Sequence, residues 1–110
     1  MDLHPGDVVL VAVDFHQRQG SKVRPTAVVL DSGDEDFVGA PITTRVRFAE
    51  FELSLAGWQA AGLNVPSIAR VHKVAVLAKA NIRRILGRLS DDDLAQFRAA
   101  LCRAFCSPSE

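Results

Sequence analysis

A chain of 110 residues in which 48% are hydrophobic and 24% charged has the composition of a folded domain rather than a disordered tail, and its length suits one domain over residues 1–110 with a single core. Its formal net charge of zero excludes a polycation that holds nucleic acid by bulk charge alone. No apolar run approaches the ~18 residues that cross a bilayer, and MDLHPGD lacks a basic region followed by an apolar stretch, so a cytoplasmic protein without membrane contact is expected.

Along the chain, Asp7 to Phe15 (DVVLVAVDF) contains an unbroken apolar run, which predicts a strand covered on both faces. His16 to Val23 (HQRQGSKV) is polar and reads as a loop. Pro25 then confines Arg24 to extended backbone, and a second strand starts at TAVVL. Asp31 to Asp36 (DSGDED) is a turn by composition, and Phe37 to Ile42 (FVGAPI) a third strand, with Pro41 at its end or on an edge because proline cannot donate to a ladder. Thr43 and Thr44 follow at the strand terminus. In Phe51 to Leu55 (FELSL) polar and apolar residues alternate, predicting a half-buried fourth strand with Phe51, Leu53 and Leu55 inward.

Gly57 to Leu63 reads as one short helical turn, with Trp58 as a lid on the core. Pro66 to Val71, Val74 to Ala78 and Ile82 to Leu89 are further strands. Ser90 before three aspartates marks a helix start: the serine caps, and carboxylates favour the positive end of the helix dipole. Leu94, Phe97, Leu101 and Phe105 then form one apolar stripe, and the helix should end near Ser107-Pro108. The architecture expected is a small, strongly curved antiparallel sheet or barrel closed by a C-terminal helix.

Charge is segregated. Leu53 to Leu89 carries Arg70, Lys73, Lys79, Arg83, Arg84 and Arg88 and no acid, while acids cluster at Asp31 to Asp36 and Asp91 to Asp93. A positive surface on a neutral molecule is therefore possible. The histidines His4, His16 and His72 are scattered and Cys102 and Cys106 lack further ligands, so no metal site is predicted and the cysteines read as reduced thiols. No phosphate-cradling glycine loop, Rossmann fingerprint or nucleophile elbow is present, and no cofactor is expected.

What remains is a set of cations and hydroxyls at predicted strand ends: Arg24, Thr43, Thr44, Arg70 and His72. RNA is cleaved without metal when its own 2′-hydroxyl attacks the adjacent phosphate. That reaction needs a proton acceptor, a proton donor for the leaving 5′-oxygen, and fixed donors around the phosphorane. Arginine offers phosphate a planar fork, threonine a short donor and histidine a proton carrier near neutral pH. On a strand, Arg70 and His72 would emerge on the same face.

These residues resemble the MazF/PemK toxins of bacterial toxin–antitoxin modules. The resemblance lies in GDVVLVAVDF, RPTAVVL, APITTRVR and PSIARVHK followed by IRRILGRLSDDDL, in the family's order over nearly the whole chain. It implies an SH3-like barrel and a homodimer silenced by an antitoxin. It also implies a metal-independent, sequence-specific endoribonuclease acting on single-stranded RNA to leave 2′,3′-cyclic phosphate and 5′-hydroxyl ends. By position, Arg24 and Thr43 match active-site residues of the family, Arg70 looks like the arginine of a later strand, and His72 stands where some relatives carry an aspartate proposed as proton acceptor. Histidine there either takes over that role or marks altered specificity or a weakened enzyme. Arg24, Thr43, Arg70 and His72 are thus the implied catalytic set, with Thr44, His16, Lys22, Arg45 and Lys73 as substrate contacts. The same barrel also resembles CcdB-like toxins, which bind gyrase without catalysis, and plain SH3-like binding modules.

Overall fold

The computed structural model describes residues 2–14, 21–45 and 50–106. Its strands are β1 (Asp7–Asp14), β2 (Ser21–Leu30), β3 (Asp36–Thr43), β4 (Glu52–Ser54), β5 (Ile68–Arg70), β6 (Ala75–Ala78) and β7 (Ile82–Arg88), followed by helix α1 (Asp91–Phe105). They pair antiparallel in the order β4-β5-β3-β2-β1-β7, and β6 also joins β3.

The valine run of β1 is explained by its central position between β2 and β7. Val8 points into one cluster with Ala27, Ala40, Ile42 and Phe97, while Val9 and Val11 point into another with Leu3, Val28 and Phe37. All three valines are fully buried. Each contributes about 1.5–3 kcal/mol by leaving water, which is why no polar alternation interrupts the run.

The barrel expected from the sequence does not close, since among the described residues no ladder joins β7 to β4. The outer edge of β3 is divided: β6 takes Asp36 to Gly39 and β5 takes Ile42 and Thr43. Beyond β5 the short β4 meets α1 instead of another strand. A second departure concerns β2, which starts at Ser21, so Lys22 and Val23 lie in the strand rather than in a loop. β1 pairs with β2 out to Asp14 and Ser21, whereas β3 pairs with it only from Thr26 onward. Among the described residues Lys22 to Pro25 have no ladder on that side, where a residue without an N–H is tolerated.

Helix α1 begins as its sequence predicts. The Ser90 hydroxyl accepts from the Asp93 N–H at 3.1 Å. The buried Asp93 in turn accepts from the Gly57 N–H at 2.8 Å, tying the preceding turn to the helix start. In that turn Ala61 N–H donates to the Gly57 carbonyl at 3.1 Å, and the half-buried Trp58 packs on the main cluster. Phe97 and Ala100 are buried, with Leu94 and Leu101 packed beside them. The apolar stripe stops there. Phe105 is 57% exposed, and its neighbours Cys102, Arg103 and the C-cap Cys106 are exposed too, so the last turn of α1 adds little to the core. Cys102 and Cys106 are free thiols, and the hydrogen bond between them holds the Cys106 thiol above its ordinary pKa. Helix α1 ends at Phe105 with Cys106 as its C-cap, beside the terminus expected near Ser107-Pro108, two residues that themselves lie outside the described ones.

Gly62 is required where it stands. Its φ of +83° is in the left-handed region, and a Cβ there would lie 2.1 Å from the Leu86 carbonyl oxygen. The turn thus rests directly on the backbone of β7. Gly62→Ala should destabilise the protein by about 2 kcal/mol or more, seen as a lower urea midpoint at unchanged slope; an unshifted midpoint would refute this packing.

Half of the cations in the acid-free run are paired with acids from elsewhere in the chain. Arg70 pairs with Glu52, Lys79 with Asp31 and Arg88 with Asp7. Asp31 is the most constrained of these acids. Its carboxylate accepts from Lys79 Nζ at 2.7 Å and from the N–H groups of Gly33 and Leu3 at 2.8 and 3.1 Å. The Lys79 hydrogen bond, followed by those from Gly33 and Leu3, lowers its pKa from 3.8 to about 2. A carboxyl whose pKa is depressed by folding contributes stability that is full above its unfolded value and is lost as pH falls through the folded one. Asp31→Asn should therefore lower the Tm near neutral pH and flatten the acid limb of Tm against pH between 3.8 and about 2. Parallel acid limbs in the two proteins would exclude Asp31 as a contributor.

Candidate active site

Register brings the chemistry-bearing residues to one face. Arg24 is two positions from Thr26, which opposes Pro41; Thr43 is two positions further and opposes Ile68; Arg70, two beyond, opposes Glu52. Directly opposed residues share a face of a sheet, as do alternate residues along a strand. Lys22, Arg24, Thr43, Arg70 and Glu52 consequently project from the same side of β2, β3, β5 and β4. Toward β1 this face is filled by the cluster around Val11, which opposes Arg24. Toward β5 it opens into a hollow of about 420 Å³ lined by Lys22, Arg24, Pro41, Ile42, Thr43, Thr44, Arg45 and Arg70.

The walls carry the positive charges of Lys22, Arg24, Arg45 and Arg70, with no carboxylate or imidazole among the described lining residues. Thr43 Oγ1 accepts from the Arg45 N–H at 3.2 Å, which leaves the hydroxyl hydrogen to donate elsewhere. Arg70 donates Nε–H to Glu52 Oε2 at 3.0 Å. Its side chain is 23% exposed and that of Glu52 only 4%. The buried carboxylate thus holds the guanidinium by its Nε edge and leaves the Nη groups for the hollow. Several fixed cations and a hydroxyl donor form a receptor for a phosphate-sized anion.

Six of the residues expected at the site, Lys22, Arg24, Thr43, Thr44, Arg45 and Arg70, line this hollow. His72 and Lys73 do not. The strand expected to run from Pro66 through Val71 is only Ile68–Arg70, and Val71–Lys73 is a 3-10 turn. The alternation that would place His72 beside Arg70 therefore ends at Arg70. The His72 ring lies 6.4 Å from that of Phe51, its Nδ1 buried without a hydrogen-bond partner. His16 lies outside the described residues. Among the described residues no group of three or more His, Cys, Asp or Glu side chains is arranged to hold a metal ion. Glu52 is not among the residues that the sequence singles out. The alternation of FELSL, which turns Phe51, Leu53 and Leu55 toward the main core, puts Glu52 on the opposite face, but nothing local names Arg70 as its partner.

Comparison with known families decides the lineage. The family described as "PemK-like, MazF-like toxin of type II toxin-antitoxin system" matches residues 4–105. The chain belongs to this toxin family. The fold of a PemK-like, MazF-like toxin is similar to that of the Mycobacterium tuberculosis toxin MazF-mt6, with a TM-score of 0.75 at 21% identity over 94% of this chain and 99% of the other. It is similar also to MazE-MazF (Form-II) from Deinococcus radiodurans, with a TM-score of 0.76 at 20% identity over 94% and 95% of the two chains. An endoribonuclease in complex with its cognate antitoxin from Mycobacterial species gives a TM-score of 0.75 at 16% identity over 99% and 100%. No curated protein sequence matched the chain. At these identities the neighbours establish the fold of this PemK-like, MazF-like toxin, a mainly antiparallel sheet with one C-terminal helix. No helix among its described residues is long and apolar enough to cross a membrane.

Proposed function

We propose that this toxin is a metal-independent endoribonuclease that cleaves single-stranded RNA at short sequences, working as a single domain in a cytoplasmic homodimer. The observation that carries the reading is the convergence of Arg24, Thr43 and Arg70 on one cationic hollow. The scissile phosphate sits between the Arg24 and Arg70 guanidinium groups, and the Thr43 hydroxyl donates to a non-bridging oxygen. As the RNA 2′-oxygen attacks phosphorus, negative charge grows on the equatorial oxygens, where these fixed donors stabilise it more than the ground state. The P–O5′ bond breaks; the 2′-hydroxyl proton passes to solvent and the leaving 5′-oxygen takes one from solvent, leaving a 2′,3′-cyclic phosphate and a 5′-hydroxyl. Lys22, Arg45 and Thr44 hold the flanking backbone.

The proton acceptor for the 2′-hydroxyl is not supplied by a carboxylate or imidazole on the described walls. His72, displaced from strand geometry, is not assigned that role. The structural neighbour that is an endoribonuclease in complex with its cognate antitoxin supports a cognate antitoxin as the natural partner. An acidic, partly disordered segment lying across the hollow would fit its charge, fold on binding and weaken with added salt. The deciding experiment incubates the purified protein with a long unstructured RNA in EDTA and identifies the product ends. Cyclic phosphate and 5′-hydroxyl ends are expected; RNA left intact, or 3′-hydroxyl ends, would overturn the mechanism.

A further inference from the structure

The cationic hollow is not isolated. Thr44 is also a wall of a second hollow of about 350 Å³, bounded by Ser54, Ala56, Trp58, Pro66 and Ser67. Among the described residues no charged side chain lines it. Its shape is held from behind. Trp58 packs on the main cluster, Leu63 N–H donates to the Trp58 carbonyl at 3.0 Å, and Gly62 presses on the β7 backbone. The Ser67 hydroxyl donates to the Val65 carbonyl at 2.8 Å, so its oxygen faces other groups as an acceptor only. A positive, phosphate-sized site and a neutral, largely apolar site thus share one threonine.

We infer that the second hollow is a nucleobase subsite, holding the base of a nucleotide adjoining the bound phosphate against Trp58, with Ser67 and Thr44 meeting the base's polar edge. The inference rests on the nuclease reading of the cationic hollow and adds a determinant of sequence preference. Two features of the surface select this occupant. A nucleic acid strand alternates anionic phosphates with flat, weakly polar bases, which matches the change from four cations to none across Thr44. Base stacking on an aromatic side chain tolerates any base, whereas an oriented acceptor at the edge does not. Ser67 is therefore a specificity residue and Trp58 an affinity residue.

Trp58 is the sole tryptophan, so its fluorescence reports this hollow alone. The probes are short 2′-O-methyl RNA strands, which lack the attacking hydroxyl, made of each of the four bases in turn, together with an abasic phosphodiester strand of equal length. Base-bearing strands should quench Trp58, one base binding at least about fivefold more tightly than the poorest, while the abasic strand binds without quenching. Ala56→Phe, which fills the hollow from an exposed wall position and spares the core, should reduce that spread to under about twofold, with circular dichroism confirming the fold. If base-bearing strands bind and are cleaved when unprotected, yet do not quench Trp58, the subsite is refuted and the nuclease stands. The subsite is equally refuted if Ala56→Phe keeps the full spread, or if an acidic peptide quenches where every oligonucleotide fails to. If no strand binds at all, the reading of the cationic hollow falls with it.

Discussion

Arg24→Ala is expected to lower the rate of RNA cleavage by at least about 10²–10³-fold, with little change in Tm. Arg24 is half-buried in β2 and lines the hollow. Its truncation removes a fixed donor from the phosphorane without opening a cavity in either core cluster. The loss should fall mainly on kcat, because the donor matters most when charge has developed on the phosphate. Single-turnover cleavage beside a thermal melt tests both halves of this statement. Undiminished turnover would remove Arg24 from the site, and a collapse in Tm would show that its place in β2 is structural.

Arg70 should behave differently, because it is joined to a carboxylate that water barely reaches. Removing the cation from a buried pair commonly costs ~3–5 kcal/mol. Here the arginine is 23% exposed, so Arg70→Ala should destabilise by a smaller amount, about 2 kcal/mol after discounting for that exposure, and should also abolish cleavage. Glu52 is then a positioning residue: it orients Arg70 and does not touch RNA. Glu52→Gln keeps an oxygen for the Arg70 Nε–H and should retain most activity, whereas Glu52→Leu should lose it. Arg70→Lys keeps charge but cannot offer Nε–H to Glu52 and a fork to phosphate together, so it should not restore the rate. Equal activity in Glu52→Gln and Glu52→Leu, both folded, would reject the positioning role.

The parts of this molecule visible in its sequence are those governed by neighbours along the chain. The valine run of β1, the serine and aspartates that open α1 and the proline-held extension of Arg24 are each local patterns with a local cause. Arg24 and Thr43 stand out because each sits where an apolar run meets polar residues. What is not legible along the chain depends on register. Only the pairing of β4 with β5 sets Glu52 against Arg70, and only the division of the β3 edge between two partners leaves the sheet open. The segment VHK carries no mark distinguishing a 3-10 turn from a continuing strand, so alternation alone sets His72 beside Arg70 although the backbone has already turned away. Phe105 keeps the helical spacing of the apolar stripe, yet whether a core lies beneath it is a tertiary fact.

The double duty of Asp93 has a dynamic consequence. Its N–H takes the Ser90 cap at the first turn of α1, and its carboxylate secures the turn that carries Trp58. Loosening of the C-terminal segment would therefore be felt at the aromatic wall of the second hollow, with no need for the sheet to deform. A partner that clasped or unwound this helix would tune substrate choice at a distance.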